Sequence, residues 1–150
     1  MIQISDALPE HVDGIAAIER ECFSDPWDRE TIARQLSGPN HLFLTAMDGP
    51  RVAGYVGLMH VLDEGYISNV AVSAGYRRQS VGDRLIDALV ARGRDLRLSF
   101  LTLEVRRSND PATALYAKHG FVPVGVRKNY YVKPKEDAIL MTLYLKEETK

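Results

Sequence analysis

The stretch that decides the fold is residues 70–86, VAVSAGYRRQSVGDRLI. It reads as the end of an apolar strand, then a turn of small residues that carries Arg77 and Arg78, then a helix that begins near Val81. Such a helix start leaves backbone N–H groups without partners, and these groups bind anions well. Arginine side chains can add charge-assisted hydrogen bonds to a phosphate. The stretch therefore predicts a pyrophosphate-binding turn, and the alternative is an ordinary loop with two solvated arginines.

The elements around this stretch follow from hydrophobic periodicity and from turn residues. We expect strands over residues 2–5, 41–47, 51–62, 66–72, 100–105, 121–132 and 138–145. We expect helices from Pro9 to about Cys22, from the N-cap Asp28 to Gly38, from Val81, and from the N-cap Asp110 to the C′ glycine Gly120. The order β-α-α-β-β-β-α-β-α-β-β predicts an α/β (α+β-like) fold in one domain, residues 1–150, with helices on both faces of a sheet.

Composition limits the classes of protein to which the chain can belong. Its 150 residues are 45% hydrophobic and 26% charged, as in ordinary soluble domains. The formal net charge of −1 argues against a general nucleic-acid binder. We find no apolar run long enough to span a membrane and no signal-peptide pattern. A single cysteine excludes an internal disulfide. We expect a cytoplasmic monomer that binds neither nucleic acid nor membrane, with a frayed tail at 146–150.

Two other kinds of chemistry find little support in the sequence. The four histidines lack the spacing of metal-binding motifs, so we expect no metal. Cys22 has no paired histidine nearby in sequence and lies at a helical position where cysteine usually belongs to the core. We therefore reject a cysteine nucleophile.

The turn also resembles the Arg/Gln-x-x-Gly-x-Gly/Ala signature of the GNAT acetyltransferase superfamily, with Arg77, Ser80 and Gly82 at the key positions. The order of elements is similar to that superfamily over nearly the whole chain, which implies a mixed central sheet of about seven strands. The resemblance implies acetyl-CoA as cosubstrate, with its pantetheine arm paired to the third strand of the meander as an added strand would be. The implied cofactor-binding residues are Val70, Ala71, Val72, Arg77, Arg78, Gln79, Ser80, Val81, Gly82, Asp83 and Asn109.

The turn departs from the superfamily pattern at two positions. Ser80 stands where glycine is usual, and it costs on the order of 1 kcal/mol if the backbone there requires a positive φ. Asp83 opens the helix, where an acid suits the helix dipole but repels a phosphate if its side chain points inward. Both departures bear on the affinity for the cofactor rather than on its identity.

Downstream segments resemble a GNAT subfamily that acetylates the N-terminal alanine of a small-subunit ribosomal protein. They are LEVRRSN at 103–109, ALYAKHGF at 114–121 and RKNYY at 127–131. The resemblance implies Glu104 as general base and Tyr116 as general acid. The chemistry is consistent, because an α-amino group with a pKa of about 8 must lose a proton before it attacks a thioester.

Each of these residues also has an ordinary structural interpretation. Glu104 fits a solvent-facing position between two apolar strand residues, and Tyr116 fits a core aromatic. Asn109 fits a residue that ends the strand and caps the following helix. The sequence alone does not choose between these interpretations.

The acceptor side rests on a further resemblance, the Phe-x-x-Pro-Trp pattern between the first two helices. It implies that an acceptor groove is shaped by Phe23, Pro26, Trp27, Tyr130 and Tyr131. The alternative is a loop plugged by its two aromatic residues. Glu64 and Asp137 are further acidic residues that could contact an incoming amine.

Three functions are consistent with the sequence. The first is acetylation of a ribosomal protein N-terminal peptide by direct attack. The second is acetylation of lysine side chains or a small amine by the same fold. The third is a non-catalytic CoA-binding module. The departures at Ser80 and Asp83 favour it slightly, whereas the presence of Glu104, Asn109 and Tyr116 argues against it.

Overall fold

The computed structural model of the chain describes residues 1–132 and 134–145, so the tail predicted to fray lies outside the described residues. Its strands are β1 (Ile2–Asp6), β2 (His41–Asp48), β3 (Arg51–Val61), β4 (Glu64–Val72), β5 (Phe100–Arg106), β6 (Val122–Val132) and β7 (Lys135–Tyr144). Its helices are α1 (Val12–Cys22), α2 (Arg29–Ser37), α3 (Val81–Asp95) and α4 (Asp110–Lys118). Short 3₁₀ turns lie at Pro9–His11 and Ala74–Tyr76.

The strands form one mixed sheet in the order β1-β2-β3-β4-β5-β7-β6. β4 and β5 are parallel because α3 carries the chain back across the sheet between them, and the other neighbours are antiparallel. The prediction of a seven-stranded mixed sheet with helices on both faces is confirmed. No helix among the described residues is long and apolar enough to cross a membrane.

Hydrophobic residues are buried in two layers, one on each face of the sheet. The larger core lies under α3 and α4, and the apolar stripe of α3 supplies the fully buried Leu85, Ile86 and Leu89. The smaller core lies under α1 and α2 and includes Ile15 and Tyr55. In α1 and α3, the buried residues are those that recur at helical spacing along one face.

Several boundaries differ from the sequence predictions; for example, β4 begins at Glu64 rather than Tyr66. Pro9 belongs to a 3₁₀ turn, and α1 begins at Val12. Asn109 rather than Asp110 is the N-cap of α4, because its side chain accepts a hydrogen bond from the backbone N–H of Ala112. β7 begins at Lys135, three residues earlier than expected, since the hairpin with β6 continues to its tip despite the polar sequence there.

The central strands β4 and β5 separate soon after they meet. Their pairing is confined to Glu64–Tyr66 with Phe100–Thr102. Beyond it, β4 stays paired with β3 as far as Val72 and β5 stays paired with β7 as far as Arg106. Each strand thus has one edge without a strand partner. Backbone polar groups on such an edge need water or a ligand, so the gap is a natural place for an extended ligand to bind.

Candidate active site

A cavity of about 380 Å³ lies in the gap between β4 and β5. Residues predicted for the site from distant parts of the chain meet in its lining: Phe23, Trp27, Val70, Glu104, Asn109, Tyr116, Tyr130 and Tyr131. The other predicted residues do not line it. They are Pro26 in the segment between α1 and α2, Ala71 and Val72 at the end of β4, and residues 77–83 in the turn before α3 and its first helical turn.

The turn before α3 has the backbone of an anion-binding site. Arg78 and Ser80 have φ values of 64° and 61°, in the left-handed region. Ser80 is the N-cap of α3, and its side chain makes no capping hydrogen bond. The N–H groups of the first helical turn lack partners within the helix by geometry, so they are left for a ligand.

Of the two arginines predicted for the turn, Arg77 folds back across the end of β4. Arg77 donates from Nε to the carbonyl of Val72 at 3.2 Å, and its guanidinium lies 3.4 Å from Sγ of Cys22. Burial raises the pKa of the Cys22 thiol, the opposite of what a nucleophilic cysteine needs. On the same side, Glu21 accepts a hydrogen bond from the backbone N–H of Ala74 at 2.6 Å. The C-terminal end of α1 is therefore attached to the turn that precedes α3.

Asp83 does not present an unbalanced charge to the turn. One carboxylate oxygen lies 2.8 Å from Nε2 of His119 and 3.0 Å from Nζ of Lys118, both at the end of α4. Hydrogen bonds with His119 and then Lys118 lower the pKa of Asp83 below its usual value. The side chain therefore connects α3 to α4, and the predicted contact with a cofactor is left to its backbone N–H.

Glu104 reaches the cavity because of strand alternation. Leu103 and Val105 point into the core under α3 and α4, so Glu104 points to the opposite face, where α1 and α2 lie. Its carboxylate accepts a hydrogen bond from Nε of Arg127 on β6 at 3.0 Å. The side chain is 28% exposed, so the solvent-facing interpretation describes it only in part.

Tyr116 and Asn109 each combine a structural role with a place in the cavity lining. Tyr116 is 7% exposed and packs against Phe121 with ring centroids 5.8 Å apart. Burial raises the pKa of its hydroxyl well above the usual value, so the group stays protonated at any working pH. Asn109 caps α4 through its side-chain oxygen and lines the cavity as well.

The aromatic residues predicted for the acceptor side come from two segments. Trp27 lies 6.4 Å from Phe43 between ring centroids, at the edge of the core under α1 and α2. Tyr131 is covered by the guanidinium of Arg106, 4.2 Å from its ring centroid. Burial raises the pKa of Tyr131 to about 12. Both segments are thus held in place by packing before any ligand binds.

The acidic residues considered for an incoming amine are engaged elsewhere. Glu64 accepts a hydrogen bond from the hydroxyl of Tyr66 at the start of β4. Asp137 accepts from the backbone N–H of Asn129 at 2.8 Å and lies 3.5 Å from a guanidinium nitrogen of Arg107. Among the described residues, no group of three or more His, Cys, Asp or Glu side chains could hold a metal ion.

The sequence analysis missed a polar cluster at the wall of the cavity. Glu19, on α1, is 1% exposed and accepts hydrogen bonds from Tyr55, Asn69 and the backbone N–H of Trp27. A signal was present, because Glu19 occupies the apolar stripe of its helix, four residues after Ile15 and three after Ala16. A charged residue at such a position indicates a buried, hydrogen-bonded carboxylate.

Comparisons with known proteins show the family to which the chain belongs. Residues 12–121 match the Acetyltransferase (GNAT) family. The chain is 37% identical over 139 residues, 92% of each chain, to a Bacillus subtilis protein provisionally named as a ribosomal protein bS18-alanine N-acetyltransferase. It is also 37% identical over 132 residues to the Escherichia coli K12 enzyme of that name, covering 84% of this chain and 86% of the relative. The crystal structure of the ribosomal-protein-S18-alanine N-acetyltransferase from Escherichia coli superposes with a TM-score of 0.91 at 32% identity, over 100% of this chain and 97% of that one.

The left-handed backbone at Ser80 gives a prediction about stability. Ser80→Gly should raise the free energy of unfolding by about 0.5–1 kcal/mol, because glycine adopts positive φ without strain. The measurement is urea unfolding followed by circular dichroism. Ser73→Gly is the matched control, since Ser73 has a φ of −60°, and it should not stabilise the protein. A loss of stability in Ser80→Gly would mean that the serine side chain stabilises the turn.

Proposed function

We propose that this chain, which belongs to the acetyltransferase (GNAT) family, transfers the acetyl group of acetyl-CoA to the N-terminal amine of a ribosomal protein that begins with alanine. This is the activity named for its Escherichia coli relative, an enzyme of the RimI type. The observation that carries the proposal is the meeting of Glu104 and Tyr116 in one cavity, between strands whose facing edges are unpaired.

The cosubstrate would lie along the gap. Its pyrophosphate would bind at the N-terminus of α3, where residues 80–83 offer backbone N–H groups and Arg77 and Arg78 offer charge. Its pantetheine arm would pair with the free edge of β4 near Val70 and Val72. Asn109 lies in the cavity lining, where its side chain can contact the arm. The acetyl group would then reach the acid–base pair.

The chemistry follows from the protonation states of the two side chains. Glu104 accepts the proton that the α-ammonium must lose, either directly or through a water molecule. The amine nitrogen then forms a bond to the acetyl carbon, and the bond from that carbon to sulfur breaks. Tyr116, whose raised pKa keeps its hydroxyl protonated, donates a hydrogen bond and then a proton to the leaving sulfur. The nitrogen loses its second proton as the amide forms, and through water this proton replaces the one that Tyr116 gave up. Glu104 releases the first proton to solvent, which returns both side chains to their starting states.

The ion pair between Glu104 and Arg127 fits this role. Without an acceptor, the guanidinium balances the carboxylate at 3.0 Å. An incoming ammonium group offers the same positive charge and can replace the guanidinium as the partner. Since the side chain of Arg127 is 54% exposed, it can move into solvent at small cost.

The acid–base assignment gives a prediction about the rate of acetyl transfer. Glu104→Gln should lower kcat/KM by about 10²–10⁴-fold, because the amide cannot accept the proton. The measurement is the release of CoA from acetyl-CoA in the presence of an alanine-initiated peptide. Isothermal titration calorimetry measures the affinity of each variant for CoA. Glu64→Gln is the matched control, since Glu64 lies at the start of β4 and outside the cavity lining. Unchanged rates in Glu104→Gln at every pH would contradict the assignment.

The choice of acceptor gives a prediction about selectivity. We expect faster turnover with a peptide that has a free N-terminal alanine than with the same peptide when it is N-blocked and carries a lysine. The physical reason is that an α-amine with a pKa of about 8 is deprotonated more easily than a lysine amine with a pKa of about 10.4. The measurement is kcat/KM for both peptides at equal concentration of acetyl-CoA. Preference for the blocked peptide would favour lysine or small-amine acetylation instead.

A further inference from the structure

The α1 glutamate that the sequence analysis missed accepts hydrogen bonds from three residues, two of which line the cavity. One carboxylate oxygen of Glu19 accepts from the backbone N–H of Trp27 at 2.8 Å. The other accepts from Nδ2 of Asn69 at 2.9 Å and from the hydroxyl of Tyr55. Trp27 and Asn69 both line the cavity, as Glu19 itself does. One buried carboxylate therefore holds the segment between α1 and α2 to the free edge of β4.

Asn69 reaches this carboxylate because of a β-bulge. In the pairing with β3, Gly57 opposes Asn69 and Leu58 opposes Ile67, so Ser68 is an extra residue. The extra residue reverses the alternation of β4, so Ile67 packs in the larger core and Ala71 in the smaller. Without the bulge, Asn69 would point to the face of Ile67, away from α1. The bulge thus turns Asn69 toward α1, where its side chain donates to the carboxylate of Glu19.

Packing alone does not account for this arrangement. Replacing a buried ionic group by well-packed apolar side chains is often neutral or stabilising. A carboxylate that satisfies three donors, in contrast, fixes their directions, because each hydrogen bond weakens when its geometry is lost. Burial raises the pKa of Glu19, and the hydrogen bonds from Tyr55, Trp27 and Asn69 oppose that rise.

We propose that Glu19 is a positioning residue of the acceptor site, which holds the Trp27 segment and the bulge of β4 at the distance an extended peptide requires. The proposal rests on the proposed function in so far as that wall binds the acceptor. The proposed role is limited to the acceptor side of the cavity. The turn before α3 is held by a different residue of α1, Glu21, which accepts a hydrogen bond from Ala74.

The test is a polarity exchange between Glu19 and Asn69. Asn69→Asp places two carboxylates in contact, which repel each other. The double variant Glu19→Gln/Asn69→Asp restores one amide and one carboxylate in the same space. Glu30→Gln, an exposed change on α2, is the matched control. The measurements are KM for an alanine-initiated peptide, KM for acetyl-CoA, thermal unfolding, and fluorescence of Trp27, which is the single tryptophan.

We expect Asn69→Asp to raise the peptide KM by about tenfold, with little change in the KM for acetyl-CoA, and to shift the Trp27 emission. The double variant should return both the peptide KM and the emission to near wild-type values, and Glu30→Gln should change neither. The proposal is overturned if the double variant fails to restore them, or if Asn69→Asp changes only the melting temperature. The fluorescence result stands independently of turnover. If the wild type does not acetylate the peptide, the proposed function is refuted, and restored emission in the double variant would show only that the contact between Glu19 and Asn69 positions Trp27.

Discussion

The separation of β4 from β5 is the constraint on which the rest of the molecule depends. The two strands share only three residue pairs, and beyond these pairs β4 is paired only with β3 and β5 only with β7. A sheet opened in its middle has unpaired backbone edges, which destabilise a fold unless water or a ligand satisfies them. The same opening brings β4 as far as Val70, the side chains of β5 and Tyr116 of α4 to one cavity. The separation of β4 from β5 therefore determines both the shape of the sheet and the position of the candidate site.

Polar interactions hold the elements around this opening. Hydrogen bonds join the end of α1 to two elements: Glu21 to the turn before α3, and Glu19 to Asn69 beside the bulge of β4. The turn of α3 is bound to the end of α4 by Asp83. On the far side, Arg106 lies over Tyr131 and holds the β6–β7 hairpin against β5. An apolar core fixes the layers of the molecule, but these directional contacts fix the width and shape of the gap.

The sequence predicted the elements well, because their signals are local. The apolar stripe of α3, the cap at Asp28 and the glycine after α4 each act within a few residues. The candidate site required more, since Glu104 and Tyr116 look like a strand residue and a core aromatic, and only resemblance to a family gave them roles. Their meeting in one cavity depends on contacts between residues far apart in sequence.

Local sequence patterns did not predict two features of the structure. The bulge at Ser68 depends on which residues of β3 face β4, and nothing in the local sequence marks it. The pairing of Asp83 with His119 joins two helices through a separation of 36 residues. The buried Glu19 could have been noticed from its place in an apolar stripe, but its partners Tyr55 and Asn69 could not.

The central claim is that the free edge of β4 and the first turn of α3 are the surfaces that CoA covers. Hydrogen–deuterium exchange with and without saturating CoA tests it most directly. The account predicts slower exchange for the backbone amides of Val70, Val72 and residues 81–83 on binding, because amides without a partner gain one. Binding of CoA that protects neither segment would contradict the account.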